Sequence, residues 1–278
     1  LFHLKLTSIP RRYLILWIFS IVPSLASNAV AEVETRVDRL RICLEVEDYP
    51  PYFFKPENEG RYTERTGILL ELIDRCAEAT GVEVEYLSKP WRRCLADAKD
   101  NRVDAIAPVI WSQARQEWGR FPVDEDNRLD PEAALLSVDY PVFTHRDSSL
   151  KWDGERFTGI RYGVAAPLGH VAHRRLKHMG VLPASAFTVV DGLTMVSRGF
   201  LDGFVAESMS GRFIAKNQGY DNLIVEIEPV FLSTELYLVF SSGYAESRPE
   251  VVDQMWKSLM HNGEEWRNAS LRYYGLSE

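Results

Sequence analysis

The sequence predicts an α/β fold built as two α/β units, and three observations carry that expectation. From Leu40 the chain alternates short apolar runs with stretches of helical period, and the alternation restarts after the polar segment FPVDEDNRLDPEAAL. No repeat of solenoid length and no low-complexity tract interrupts it. The 278 residues are 46% hydrophobic and 26% charged, which sustains a packed core and argues against disorder.

The first unit reads in order as follows. LRICLEV, from Leu40, is a strand. GILLELIDRCAEATG puts Ile68, Leu69, Leu72, Ile73 and Cys76 on one helical face, and Gly81 closes that helix. VEVEYL is a second strand, PWRRCLADAKDN a second helix opening at Pro90, and VDAIAPVI a third strand. This β-α-β-α-β order favours a parallel sheet with helices on both faces. FPVDEDNRLDPEAAL, acidic and proline-containing, is expected to be a surface loop.

The second unit begins with the strand SVDYPVFTH. IRYGVAA is a strand, Gly169 to Met179 a helix, FTVV a strand, and Asp191 to Arg198 a helix capped by Asp191. GFVAE is a strand, Ser208 to Asn217 a helix ended by Gly219, and LIVEI and ELYLVFSS two further strands. Ser247, Pro249 and Glu250 form a capping box for VVDQMWKSLMHNG. The expected lobes are 32–140 with 235–278, and 141–234, joined near Ser137–Pro141 and Leu232–Glu235, each lobe a mostly parallel sheet flanked by helices.

Residues 1–31 differ in kind. Lys5, Arg11 and Arg12 precede an apolar run from Tyr13 to Leu25, and Ala29-Val30-Ala31 supplies a small-x-small cleavage pattern, so a secretory signal cut before Glu32 is expected. The run is shorter than the roughly 20 residues a membrane span needs. Without those residues the chain holds 29 basic and 40 acidic side chains, a net of −11, which disfavours nucleic acid and anionic membranes as partners. An exported chain can keep a disulfide, and Cys43, Cys76 and Cys94 allow at most one. If the first strands are ordered 2-1-3, right-handed crossovers lay the second helix over strand one, and the pair is Cys43 with Cys94.

YPPYFF, GILLELI, PWRRCLADAKDNRVDAIAPVIWSQARQEWGRFP, GVAAPLGH, RGFLDGFVAE and HNGEEWRNASLRYYG, in that order, resemble the extracellular solute-binding proteins of family 3, with the type II periplasmic binding fold. The resemblance spans roughly residues 38–275, and the helix opening Pro-Trp-x-Arg is similar to a divergent branch of the polar amino-acid binders. It implies two lobes closing on a small ligand at the carboxyl ends of strands. It also implies a monomeric, non-catalytic periplasmic receptor, without cofactor or metal, for an amino acid or similar carboxylate passed to an inner-membrane ABC permease. An enzyme on the same fold, such as a cyclohexadienyl dehydratase, is the rival; an accessory protein of a periplasmic redox enzyme is a third reading.

Arg115 in VIWSQAR matches the family arginine that grips a ligand carboxylate in a two-pronged pair; the alternative is a solvated arginine starting a helix. Glu207 ends RGFLDGFVAE, where relatives usually carry an aspartate for the ligand ammonium; the alternative is a carboxylate opening the next helix. Tyr49, Tyr52, Trp91 and Trp111 stand at strand-to-helix junctions as aromatic ligand contacts, Tyr49 and Trp111 foremost, with core packing as the alternative. Gly169 and His170 open a helix whose N–H groups suit an anion. His170, His173 and His178 do not share one face with a further ligand, so a metal site is not expected. Ala107, Pro108 and Val109 replace the hydroxyl residues of the amino-acid binders, which takes hydrogen bonds away from an α-amino acid.

Overall fold

The computed structural model describes residues 39–54 and 67–274, and the expected signal segment lies outside the described residues. β1 (Arg39–Glu45), α1 (Ile68–Thr80), β2 (Glu83–Lys89), α2 (Trp91–Lys99) and β3 (Ala105–Val109) follow the expected alternation. β1 pairs in parallel with β2 on one side and β3 on the other, the 2-1-3 order on which the expected disulfide depends. Leu40, Ile42 and Leu44 of β1 pack in the core of α1, whereas Cys43, out of phase by one, packs in the core of α2. Cys94 on α2 therefore meets Cys43, and the two form a disulfide with Cα atoms 5.5 Å apart. Cys76 on α1 is a buried free thiol.

A four-residue helix α3 (Gln113–Gln116) and a short strand β4 (Gly119–Arg120) follow. The acidic loop is mostly irregular, as expected, but Asp130 turns it into a single 3-10 turn by accepting from Glu132 N at 2.9 Å. Beyond it come β5 (Leu136–His145), a small hairpin of β6 (Lys151–Trp152) and β7 (Phe157–Thr158), and β8 (Val164–Ala165). Next are α4 (Val171–Met179), α5 (Val189–Ser197), β9 (Gly203–Val205), α6 (Ser208–Asn217), β10 (Ile224–Ser241), α7 (Ser242–Ser247) and α8 (Pro249–Tyr273). The sheet among the described residues runs β2-β1-β3-β10-β5-β9-β8, with β4 also paired to β10. Its outer strands are parallel within each half, and β5 and β10 cross between the halves antiparallel to their neighbours.

Five expectations differ from the structure. FTVV is not a strand: Thr188 Oγ1 accepts from Asp191 N at 3.1 Å and donates to the Asp191 carboxylate at 2.8 Å, and this reciprocal cap starts α5 at Val189. The cap is thus Thr188 and not Asp191. LIVEI and ELYLVFSS belong to one strand, β10, whose pairing with β5 shifts register between Ile227 and Leu232, around Pro229. Ser247 builds no capping box, because its hydroxyl donates back to the Tyr244 carbonyl at 3.0 Å and α8 starts at Pro249 without a side-chain cap. Nor does α8 stop at Gly263: the space there admits Arg267, which donates to the Ala134 carbonyl at 2.9 Å.

α8 returns to the first half of the sheet and packs on α1. Val252, Met255 and Leu259 form its buried stripe, each side chain contributing about 1.5–3 kcal/mol by burial. Ser270 and Tyr274 both donate to the Glu71 carboxylate, at 2.7 and 2.8 Å, which ties the end of α8 to the start of α1. With these elements in place, the carboxyl ends of β1 and β3 face the loops that open α4 and α5.

Candidate functional site

Where those strand ends meet, a cavity of about 450 Å³ opens between the two halves of the sheet. The first half contributes the segment after β1, the start of α2 and the turn after β3; the second contributes the loops entering α4 and α5; Tyr140 on β5 and Leu236 on β10 complete the wall.

Arg115 lies in this wall and is 4% exposed. Its Nη1 donates to the Ile110 carbonyl at 2.7 Å and its Nη2 to the Gly169 carbonyl at 3.3 Å. Its Cζ is 5.7 Å from the centre of the Trp91 ring, and its Nε has no partner. Among the described residues no carboxylate pairs with it. Burial, helped by the Arg174 charge, pushes its pKa down to about 10. A buried cation held only by neutral carbonyls and an aromatic ring is costly, and an incoming anion would relieve that cost.

Gly169 brings the second half down onto this point. Its φ of +89° is open to glycine, and a Cβ there would come within 3.2 Å of Arg92 Cγ and 3.4 Å of Trp91 Cδ1. His170 follows, its ring 6.0 Å from that of Trp91. Burial and the Arg115 charge push the imidazole down to about 3, so it is neutral at physiological pH. Trp91 itself is 6% exposed, and its Nε1 has no partner. α2 has no cap of its own, since Pro90 offers no side-chain acceptor; Glu45, at the end of β1, supplies one by accepting from Trp91 N at 3.1 and 3.2 Å. Burial raises the Glu45 carboxyl above its ordinary range against those bonds.

Tyr49 and Tyr140 share a hydroxyl–hydroxyl hydrogen bond of 3.2 Å and line both this cavity and a smaller one of about 10 Å³ beside it. Glu207 lines the smaller one only. It is 3% exposed, and its carboxylate accepts from Met209 N at 3.0 Å, from Ser210 N at 2.8 Å and from the Tyr52 hydroxyl. Burial raises its pKa while those bonds oppose the rise. Tyr52 is buried beneath Tyr49, with ring centres 5.0 Å apart, and lines neither cavity.

The structure thus gathers Arg115, Tyr49, Trp91 and His170 around one cavity, with the Gly169 carbonyl on Arg115, and sets Glu207 and Tyr52 behind it. Trp111 stands outside: it is 38% exposed, its Nε1 donates to Gln116 Oε1 at 3.1 Å, and it lines neither cavity. Glu45 and Tyr140 were not singled out from the sequence. The in-facing alternation of Val138, Tyr140 and Val142 along SVDYPVFTH was the available signal for Tyr140. No group of three His, Cys, Asp or Glu among the described residues is arranged to hold a metal ion.

Residues 40–126 match the bacterial extracellular solute-binding proteins, family 3. The chain has the fold of the periplasmic binding proteins. A histidine kinase sensor domain described as similar to periplasmic binding proteins shares 22% identity, with a TM-score of 0.68 over 84% of this chain and 97% of that one. The arginine-, lysine-, histidine-binding protein ArtJ from Geobacillus stearothermophilus shares 14%, with a TM-score of 0.66 over 86% and 96%. The ancestral amino acid-binding protein AncCDT-1, a precursor of cyclohexadienyl dehydratase, shares 18%, with a TM-score of 0.65 over 85% and 95%. No curated protein matches the chain. The family match ends shortly after Arg115, so it covers the strand end and helix start that bury this side chain. The cavity lies at the carboxyl ends of strands, where open α/β sheets bind ligands.

Proposed function

We propose that this chain is a non-catalytic receptor of the periplasm whose solute presents a carboxylate to Arg115, and that it passes the solute to an inner-membrane ABC permease. The observation that carries the reading is Arg115 itself, buried in a cavity wall with carbonyls as its acceptors and no carboxylate partner among the described residues. Arginine offers a planar fork of donors that matches a carboxylate, and burial of the guanidinium strengthens the pair. The lobes are 32–140 with 235–278, and 141–234; β5 and β10, the strands that cross between the halves, are the hinge, and the bond from Arg115 to Gly169 spans the two.

The dehydratase reading would make Glu207 a general acid, and its raised pKa suits that work. Its carboxylate, however, is engaged by two backbone N–H groups and Tyr52 and lies away from the large cavity. That placement favours the receptor. A thermal-shift screen of the chain against amino acids, small carboxylates and amines tests the proposal. A ligand at about 100 times its dissociation constant adds about 2.7 kcal/mol, and in Arg115→Ala the same concentration should add less than about 1 kcal/mol. Hits whose shift persists in that variant would place the solute elsewhere. Permease and ATPase genes beside this one support transport; a kinase or dehydrogenase gene there redirects the partner.

A further inference from the structure

Resting on that reading of the cavity, we propose that its solute is a monocarboxylate with an apolar body, aromatic or branched, and without an ammonium group beside the carboxylate. The polar atoms left unmatched in the buried wall point to it. They are Arg115 Nε and Trp91 Nε1, both donors, 5.7 Å separating the guanidinium carbon from the indole centre. Two unpartnered donors, one of them cationic, call for an anionic acceptor.

An ammonium finds no equivalent acceptor. Glu207, the acid of the second half, is spent on Met209 N, Ser210 N and Tyr52, and the space beside it, about 10 Å³, holds no more than one water. The bonded hydroxyls of Tyr49 and Tyr140 belong to the wall it shares with the main cavity. Glu45 is spent on Trp91 N and Val46 N. The remaining carboxylates of the lining, Glu47 and Asp191, belong to exposed residues whose charges are solvated, as does the cation of Arg92. His170 is neutral. The rest of the wall suits carbon: Phe53, Ile110, Val171 and Leu236 line it, and Pro90, Pro108 and Pro167 put three residues without an N–H around it. Buried in such a wall, an ammonium would lose its water and find only neutral acceptors, the His170 imidazole and the tyrosine hydroxyls, in return.

Three probes that share one ring and one chain decide the matter: 3-phenylpropionate, L-phenylalanine and phenethylamine, titrated calorimetrically into the full chain. The expected result is binding of 3-phenylpropionate, L-phenylalanine at least tenfold weaker, and no binding of phenethylamine. Trp91→Phe keeps the ring and loses the N–H, and should weaken 3-phenylpropionate about fivefold to tenfold. L-Phenylalanine binding as tightly as 3-phenylpropionate, or more tightly, overturns the inference and leaves the receptor standing. Silence from all three also overturns it. In that case a polar hit from the wider screen that is lost in Arg115→Ala keeps the receptor reading, and an empty screen removes both.

Discussion

The junction after β3 and the junction after β9 look alike in sequence, each an apolar strand delivering one charged residue to the start of a helix. The structure treats them in opposite ways. Glu207 arrives at the N-terminus of α6, whose first N–H groups are unpaired donors, so the backbone and Tyr52 take up its charge. Arg115 arrives in α3, where a cation has no such donors to meet and finds only the carbonyls of Ile110 and Gly169. The lesson is that the backbone has first claim on an anion at a helix start and none on a cation. Of two equally buried charges, the cation is therefore the one left for a ligand.

Removing Arg115 should give the largest effect. Arg115→Ala should cost about 2–5 kcal/mol of binding for a carboxylate solute, at least thirtyfold, because the pair is buried. The ligand-free protein should melt no lower than wild type, since an uncompensated buried charge goes with the side chain. Calorimetric titration and a thermal melt read the two effects. Arg115→Lys should recover only part of the affinity, as an ammonium cannot reproduce the fork. A melt several degrees lower in Arg115→Ala would assign this arginine to the fold.

Glu207→Ala should show the reverse pattern. Loss of the α6 cap, with the Tyr52 hydroxyl left unmatched, should destabilise the fold by about 1–3 kcal/mol in urea unfolding. Affinity for a carboxylate solute should hold to within a few-fold, given that Glu207 lines only the small cavity. A variant that folds with wild-type stability and loses its ligand would make Glu207 the binding residue, and the contrast between the junctions would fail.

Much of the first half was legible because, in a β-α-β-α-β unit ordered 2-1-3, right-handed crossovers fix which face each helix covers. That order placed Cys94 over Cys43 and Cys76 on the far face. The second half was harder to read. In FTVV three β-branched residues suggested a strand, while the decisive feature was a hydroxyl three residues before a carboxylate, Thr188 and Asp191. Pro229 broke the alternation of β10 and made one strand read as two. In the site, Arg115 could be found from its position at a strand end. Glu45 could not, because its task depends on the start of α2, which a parallel crossover brings beside it from 46 residues on. Trp111 was drawn in by its type and place, but only the path of α3 decides which way it faces, and there it bonds Gln116.

The smallest expected effect sharpens the comparison through pH. The Glu207 carboxyl is raised above its ordinary value, chiefly by burial, while the N–H groups and Tyr52 pull the other way. Below the ordinary carboxylate range it is protonated in both the folded and the unfolded chain and adds no pH dependence. As pH rises from the unfolded to the raised folded value, the unfolded chain ionises first, so this group progressively lowers stability; above the folded value the cost is fully present. Glu207→Gln has no such proton. Met209 N and Ser210 N each use a different carboxylate oxygen, and an amide replaces one of these with a donor, so the variant loses one backbone bond in this geometry, a fixed offset at every pH. The stability of wild type relative to Glu207→Gln should therefore fall as pH rises through this window and level off above it, read as urea midpoints at a series of pH values. The opposite slope would mean that the helix start stabilises the ionised carboxylate more than burial opposes it. In that case Glu207 would be as settled a partner for α6 as an acid can be, with still less charge left over for a ligand.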